Sequence, residues 1–390
     1  MRVSCFIYGF LLFLFINNKI SGEIYDYNAV PESFDTYNTA MFRIYIPENT
    51  DTVKGVFHYV KPFNSDSRSV VNDTIYRDLC EKNGFALLGS LLDSRDFNGG
   101  IGDALLDALD NFSSVSDHLE LRNTTIFFNG TSWGGQWAYD FALWKPEKVI
   151  GLITHKGGYH TEGYAGKTVD VPVYMFIGEN DLDYRITNLT SIFNTNRPYG
   201  APWILAMEPN TGHSSVKDTF LLFTYFRTIT ALRLPDKIPV NDQVVLNKID
   251  LTKGWLGDIP TTEIDTFPYF SHETASACWF PDKKNALIWK NFVNGDPTDS
   301  IFTFLNKYEI STDDFTIYPN PAQTNLTIHS DIKDNLIWNI INLNGLSLMT
   351  GNIDNGVTRI NLSGLSNGYY ILVIKNQYVN NFKSIFIIQH

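Results

Sequence analysis

Residues 124–142 constrain this chain more than any other segment. The β-branched and aromatic run Thr124-Thr125-Ile126-Phe127-Phe128 leads into Asn129-Gly130-Thr131-Ser132-Trp133-Gly134-Gly135, and then into the helix-like Gln136-Trp137-Ala138-Tyr139-Asp140-Phe141-Ala142. This is Gly-x-Ser-x-Gly between a strand and a helix, the context in which the pentapeptide forms a nucleophile elbow. Elsewhere it is only a glycine-rich turn. Gly130 and Gly134 are needed because neighbouring backbone must approach without a Cβ in the way. Ser132 then occupies a strained turn at a helix N-terminus, where free amides favour developing negative charge.

The segments around the elbow alternate between two periods. Strand patterns occur at Val53 to Val60, Phe85 to Ser90, Thr124 to Phe128, Val149 to His155, Val171 to Ile177 and Trp203 to Glu208. Helix-like stretches lie between them, through Cys80, from Gly102 to Phe112 and from about Ser132 to Leu143. Strands alternating with helices on this spacing predict an α/β fold, a mainly parallel sheet covered on both faces. In such sheets the chemistry sits at the carboxyl ends of the strands.

A serine hydroxyl needs a base, and the base needs an orienting carboxylate. For an elbow serine the chain order is serine, acid, histidine. The strand Val171 to Ile177 stops at Gly178-Glu179-Asn180-Asp181-Leu182-Asp183, which puts Asp181, with Asp183 as alternative, at the sheet's carboxyl edge. Of the later histidines, His213 lies in the loop Pro209-Asn210-Thr211-Gly212-His213 directly after the strand Trp203 to Glu208, whereas His272 follows no clear strand. The expected catalytic set is Ser132, Asp181 and His213. The amide of Trp133 is one expected oxyanion donor, and the second comes from the loop after the strand Val53 to Val60. That loop reads Lys61-Pro62-Phe63-Asn64; Pro62 has no N–H, which leaves Phe63, or Lys61, as the donor.

The two ends of the chain differ from its middle. Met1-Arg2 precedes the 12-residue apolar run Cys5 to Ile16 and a small-residue exit at Ser21-Gly22, which describes a secretory signal peptide over residues 1–22. The run is shorter than the roughly 20 residues a bilayer span requires. In residues 314–390 four cations balance four anions, so the acidity of the chain, net charge -12, belongs to the first domain, residues 23–310. Such acidity disfavours nucleic acid as a partner. The tail holds 13 asparagines and short alternating runs at Asn325 to His329, Ile337 to Leu343, Thr358 to Leu362, Tyr369 to Ile374 and Lys383 to Ile388, with Asn344-Gly345 and Asn355-Gly356 as turns. That pattern predicts a small all-β antiparallel sandwich.

The tail resembles the type A sorting domain of the Bacteroidota type IX secretion system. The matching residues are Tyr318-Pro319-Asn320-Pro321-Ala322, Asn342-Leu343-Asn344-Gly345 and Leu362-Ser363-Gly364-Leu365-Ser366-Asn367-Gly368-Tyr369-Tyr370, with an apolar last strand. The resemblance implies the type IX machinery as a partner and passage through the periplasm to the cell surface or the medium. From about residue 40 to about residue 300 the chain resembles the α/β-hydrolase superfamily, within it secreted esterases of the polyhydroxybutyrate-depolymerase-like and feruloyl-esterase-like kinds. Gly130-Thr131-Ser132-Trp133-Gly134-Gly135, Gly178-Glu179-Asn180-Asp181 and Gly212-His213 carry that resemblance. It implies a serine hydrolase that cleaves carboxylic esters through an acyl-enzyme, with no cofactor or metal. Polymers, plant-wall phenolic esters and small lipid esters are all open as substrates. A catalytically inactive scaffold serving as a surface binding protein, and a serine peptidase, are the alternatives.

Other signals are set aside. Gly166-Lys167-Thr168 lacks the earlier glycine of a phosphate loop and precedes a strand. His155 and His160 have no third partner at metal-ligand spacing and read as core or loop histidines. Trp137 and Trp144 are expected in the core, Trp133 as a pocket wall or packing residue, and Cys278 to Trp289 as an amphipathic cap. Cys80 and Cys278 are expected as buried thiols or one optional bridge.

Overall fold

The computed structural model describes residues 22–48, 50–299, 315–330, 336–342, 346–353, 356–376 and 380–390. They divide into two compact units, with the boundary between Thr298 and Asp299. The expected signal peptide lies outside the described residues except for Gly22, as do the domain junction at 300–314, the turn at Asn344-Gly345 and Asn355.

The first unit is built on one eight-stranded sheet. Its strands are β1 (Gly22–Asn28), β2 (Ala40–Pro47), β3 (Val56–Val60), β4 (Ala86–Leu92), β5 (Ile126–Thr131), β6 (Val149–His155), β7 (Val173–Gly178) and β8 (Trp203–Glu208). They lie in the order β1-β2-β4-β3-β5-β6-β7-β8. From β4 through β8 every neighbour is parallel, while β1 and β2 add an antiparallel edge. The helices are α1 (Thr74–Asn83), α2 (Ile101–Ser116), α3 (Trp133–Trp144), α4 (Asp183–Asn196), α5 (Thr219–Arg233) and α6 (Lys283–Asn294).

Side chains alternate across a strand, so adjacent residues report the two faces. On β5, Phe127 packs against Phe226 of α5 on one side, and Phe128 against Trp137 and Phe141 of α3 on the other. On β3, Phe57 meets the same Phe226 while His58 meets Trp137. Both faces are therefore covered, and β5, β6 and β7 are buried along their whole length, which is why they open as apolar runs and turn polar only at the carboxyl ends of β5 and β6. Trp137 is fully buried; Trp144, expected beside it, is only half-buried at the end of α3.

The segment Cys278 to Trp289 divides. β11 (Cys278–Phe280) pairs with β9 (Trp255–Gly257), which also pairs with β10 (Ile264–Thr266), and α6 follows. The Leu205 carbonyl of β8 accepts from Trp289 Nε1 at 2.9 Å and from Cys278 Sγ at 3.3 Å. This subdomain covers the open edge strand of the large sheet, where unpaired backbone groups are a liability. Cys80 and Cys278 are both free, buried thiols.

The second unit consists of two antiparallel sheets. One has the order β12-β13-β16, formed by β12 (Phe315–Tyr318), β13 (Asn325–Ser330) and β16 (Gly356–Asn361); the other has the order β15-β14-β17-β18, formed by β14 (Leu336–Ile341), β15 (Ser347–Ile353), β17 (Gly368–Asn376) and β18 (Asn380–Ile388). Leu326 and Ile328 of one sheet and Ile340, Leu372 and Phe386 of the other share one buried core. β15 carries only scattered apolar residues and lies at a sheet edge, largely exposed, which explains its weak signal in the sequence. No described helix is long and apolar enough to cross a membrane.

Candidate active site

Ser132 caps α3 directly after β5, with φ 53° and ψ -119°, a backbone region that non-glycine residues occupy only where the surroundings hold them. Those surroundings are explicit. Its amide donates to the His155 carbonyl at 2.8 Å, and its own carbonyl accepts from Gly135 and Gln136 at 3.0 and 3.2 Å. The glycines make the turn possible. A Cβ on Gly130 would stand 2.3 Å from the Gly134 carbonyl oxygen, and a Cβ on Gly134 would stand 2.3 Å from the Val60 carbonyl oxygen. Backbone from β3, β5 and α3 is thus packed closer than any side chain allows.

His213 stands in the loop between β8 and α5, and Asp181 in the turn after β7. His213 Nδ1 lies 2.8 Å from Asp181 Oδ2, and His213 Nε2 lies 2.8 Å from Ser132 Oγ. A carboxylate only accepts, so Nδ1 carries the proton and, in the neutral ring, Nε2 is free to accept from the serine hydroxyl. The Asp181 side chain is 3% exposed and that of His213 30% exposed. Burial alone would raise the Asp181 pKa, but hydrogen bonds from His213, the Leu182 amide and Arg185 outweigh it and hold the carboxyl below its ordinary value. Arg185 Nη1 donates to Asp181 Oδ1 at 2.9 Å, so the two carboxylate oxygens are divided between the imidazole and a guanidinium.

The alternatives lie elsewhere. Asp183 opens α4 as an exposed residue. His272 bonds to Glu263 at 2.7 Å, an interaction that raises its pKa, and does not join Ser132. His155 and His160 are buried structural groups: His155 bonds to Asn129 at 2.5 Å and His160 to Thr154 at 3.1 Å. Among the described residues no cluster of three His, Cys, Asp or Glu stands ready to hold a metal ion.

Trp133 begins α3, so its amide is one of the first-turn N–H groups that have no acceptor within a helix. The loop of Lys61 and Phe63 runs beside it. The Lys61 carbonyl faces Gly134, and the Phe63 ring packs edge-on to Trp133 at 5.3 Å. Residues that sequence reasoning missed also converge here, namely Arg185 on the acid and Lys156 under the histidine loop. Lys156 had one legible signal, its place directly after the mainly apolar strand β6.

Residues 316–389 match the family of secretion system C-terminal sorting domains. No curated protein matches the chain. Among solved structures, it is similar to a dienelactone hydrolase from Anabaena variabilis, with 16% identity over 53% of this chain and 97% of that one and a TM-score of 0.38. It is also similar to the fluorophosphonate-binding serine hydrolase F of Staphylococcus aureus, with 16% identity, 54% and 98% coverage and a TM-score of 0.40. An esterase from Pyrobaculum calidifontis has 12% identity, 54% and 85% coverage and a TM-score of 0.39.

Proposed function

We propose that this chain is an exported serine esterase, carried outward by its sorting domain through the type IX machinery, and that Ser132, His213 and Asp181 form its catalytic triad. The observation that carries the reading is the unbroken hydrogen-bonded line from Ser132 Oγ through both imidazole nitrogens to Asp181. His213 Nε2 takes the hydroxyl proton as Ser132 attacks the ester carbonyl. Asp181 holds the Nδ1–H tautomer and stabilises the imidazolium that forms.

Charge developing on the carbonyl oxygen meets the amide of Trp133 at the start of α3, joined by an amide of the Lys61–Phe63 loop. The protonated imidazole then delivers its proton to the leaving alkoxide, and an acyl group remains on Ser132. Water, deprotonated by the same nitrogen, releases the acid and restores the hydroxyl. The half-exposed ring of Phe63 beside Trp133 supplies an apolar wall for the acyl or alcohol part of the substrate.

The test is labelling with a fluorophosphonate probe together with turnover of a nitrophenyl ester series. Ser132→Ala is expected to abolish both, and labelling that survives the substitution would overturn the reading. A parallel panel of peptide and polymeric ester substrates separates an esterase from a peptidase.

A further inference from the structure

The base of the proposed triad is carried on a loop and is partly open to solvent, so something must hold it. β6 ends at His155, and Lys156 follows in the left-handed region with φ 45°. The Lys156 side chain is 1% exposed, and its Nζ lies 2.5 Å from Glu208 Oε2. It also donates to Thr211 Oγ1 and to Ser214 Oγ, each at 2.9 Å. These contacts fall on the last residue of β8 and on both sides of His213. An ammonium group is costly to remove from water and is tolerated inside a protein only when paired and hydrogen-bonded, as here.

His155 holds the far end of the same loop. Its Nδ1 accepts the Val216 amide at 3.2 Å and its Nε2 meets Asn129 Oδ1 at 2.5 Å, a pair of bonds that one neutral tautomer satisfies. Burial pushes the His155 pKa down to about 3, which keeps that tautomer neutral. Further ties are the Thr211 carbonyl accepting from the Asn180 amide at 2.8 Å and Glu179 accepting from the Asn210 amide at 2.7 Å.

We propose that Lys156 is a positioning residue: buried itself and paired with the partly exposed Glu208, it forms a charge-balanced clamp that fixes the loop on both sides of His213, so that the imidazole is aligned between Ser132 and Asp181 before substrate arrives. The proposal rests on the triad reading above. The charged groups bonded to the His213 loop, to its acid or to one another there are Asp181 with Arg185, Glu179, and the Lys156–Glu208 pair. Loss of the lysine alone leaves the Glu208 carboxylate uncompensated, and a nearby anion favours the protonated imidazole.

The experiment compares Lys156→Met, Lys156→Arg and the double variant Lys156→Met/Glu208→Gln in the full chain. Three readouts are taken: the pH–rate profile with a nitrophenyl ester, the far-downfield proton resonance of the His213 Nδ1–H bonded to Asp181, and thermal melting. Lys156→Met is expected to lower kcat by about 10- to 100-fold with little change in KM, since small misplacements of a reacting group cost on that order. Its acid limb moves to higher pH and its downfield resonance broadens or disappears. The double variant, which leaves no unpaired charge, returns the acid limb toward wild type without restoring kcat, and Lys156→Arg recovers part of the rate.

A folded Lys156→Met protein with wild-type kcat, acid limb and resonance overturns the proposal. So does a lowered Tm with the limb and resonance unmoved, because that is the result of a merely structural lysine. If the single variant does not fold, the double variant decides through the same resonance. If the wild-type chain hydrolyses no ester, the esterase reading fails, and the resonance in wild type against variant still decides whether Lys156 aligns His213.

Discussion

Ser132 and His213, 81 positions apart in the chain, meet at 2.8 Å from Oγ to Nε2. Neither residue is positioned by its own segment alone. The serine is held by close backbone packing at the elbow, and the histidine by a loop tied down through the ends of β6 and β7.

Asp181 and Asp183 are two residues apart, but only Asp181 reaches the imidazole. Asp181→Asn is expected to lower kcat by about 10³- to 10⁴-fold, because an amide no longer enforces the Nδ1–H tautomer. Asp183→Asn is expected to retain near wild-type turnover. Steady-state kinetics on one ester decide the matter, and the reverse ranking would reassign the acid.

Arg185 draws on the carboxylate oxygen that His213 does not use. Its guanidinium offsets part of the negative charge the imidazole would otherwise feel. In Arg185→Met the Asp181 carboxyl loses one of the hydrogen bonds that hold it below its ordinary value, and the acid limb of the pH–rate profile is expected to move to higher pH. A limb that stays in place or moves down would show that Arg185 has no electrostatic hold on the pair.

Gly134 has no room for a side chain, since a Cβ there would stand 2.3 Å from the Val60 carbonyl oxygen and 2.6 Å from that of Lys61. Gly134→Ala must push the elbow away from β3 and from the loop of Lys61 and Phe63, which is proposed to supply the second oxyanion donor. Probe labelling of Ser132 and Tm are both expected to fall. Unchanged labelling would mean that the turn relaxes without cost.

Three fully buried histidines, His58, His155 and His160, have pKa values pushed down by burial to about 3 each. The unfolded chain binds protons at these groups near the ordinary value of about 6.5, whereas the native state does not. Between those two values the unfolded state holds more protons, so stability rises with pH and is lost on acidification. Calorimetry from pH 7 down to pH 4 should show a falling Tm with proton uptake on unfolding, and His160→Gln should reduce that uptake by about one proton. A Tm flat across this range would contradict the burial argument.

Cys80 and Cys278 are free and buried, and burial raises the Cys80 thiol above its ordinary value and the Cys278 thiol to about 12. Two thiols are expected to react with a disulfide reagent only after denaturation, and reductant is expected to leave Tm unchanged. Reaction in the native state, or a Tm that drops under reductant, would contradict this arrangement.

Much of the architecture was legible because it rests on local pattern. Val149 to His155 and Trp203 to Glu208 are strands over the residues the sequence suggests, since the buried part of a parallel strand reads as a run of apolar residues. β1 was not legible: none of its residues is buried at the sheet's edge, so the run Gly22–Asn28 carries no apolar face. The cap expected at Cys278 to Trp289 is instead an edge cover for β8, a difference that depends on where the chain returns in space.

The sequence by itself determined the elbow, the strand–helix alternation and the sorting tail, because each depends on neighbours within a few residues: glycines around a serine, apolar periods, turn residues between short strands. Only the tertiary structure decided which carboxylate faces His213, that Arg185 shares that carboxylate, and that Lys156 lies buried beneath the loop. The Arg185 contact is local, four positions along the chain, but those of His213 and Lys156 join residues 32 to 58 positions apart and are set by how β6, β7 and β8 line up at one edge of the sheet. Strand order and loop closure create that edge, and no local spacing encodes them.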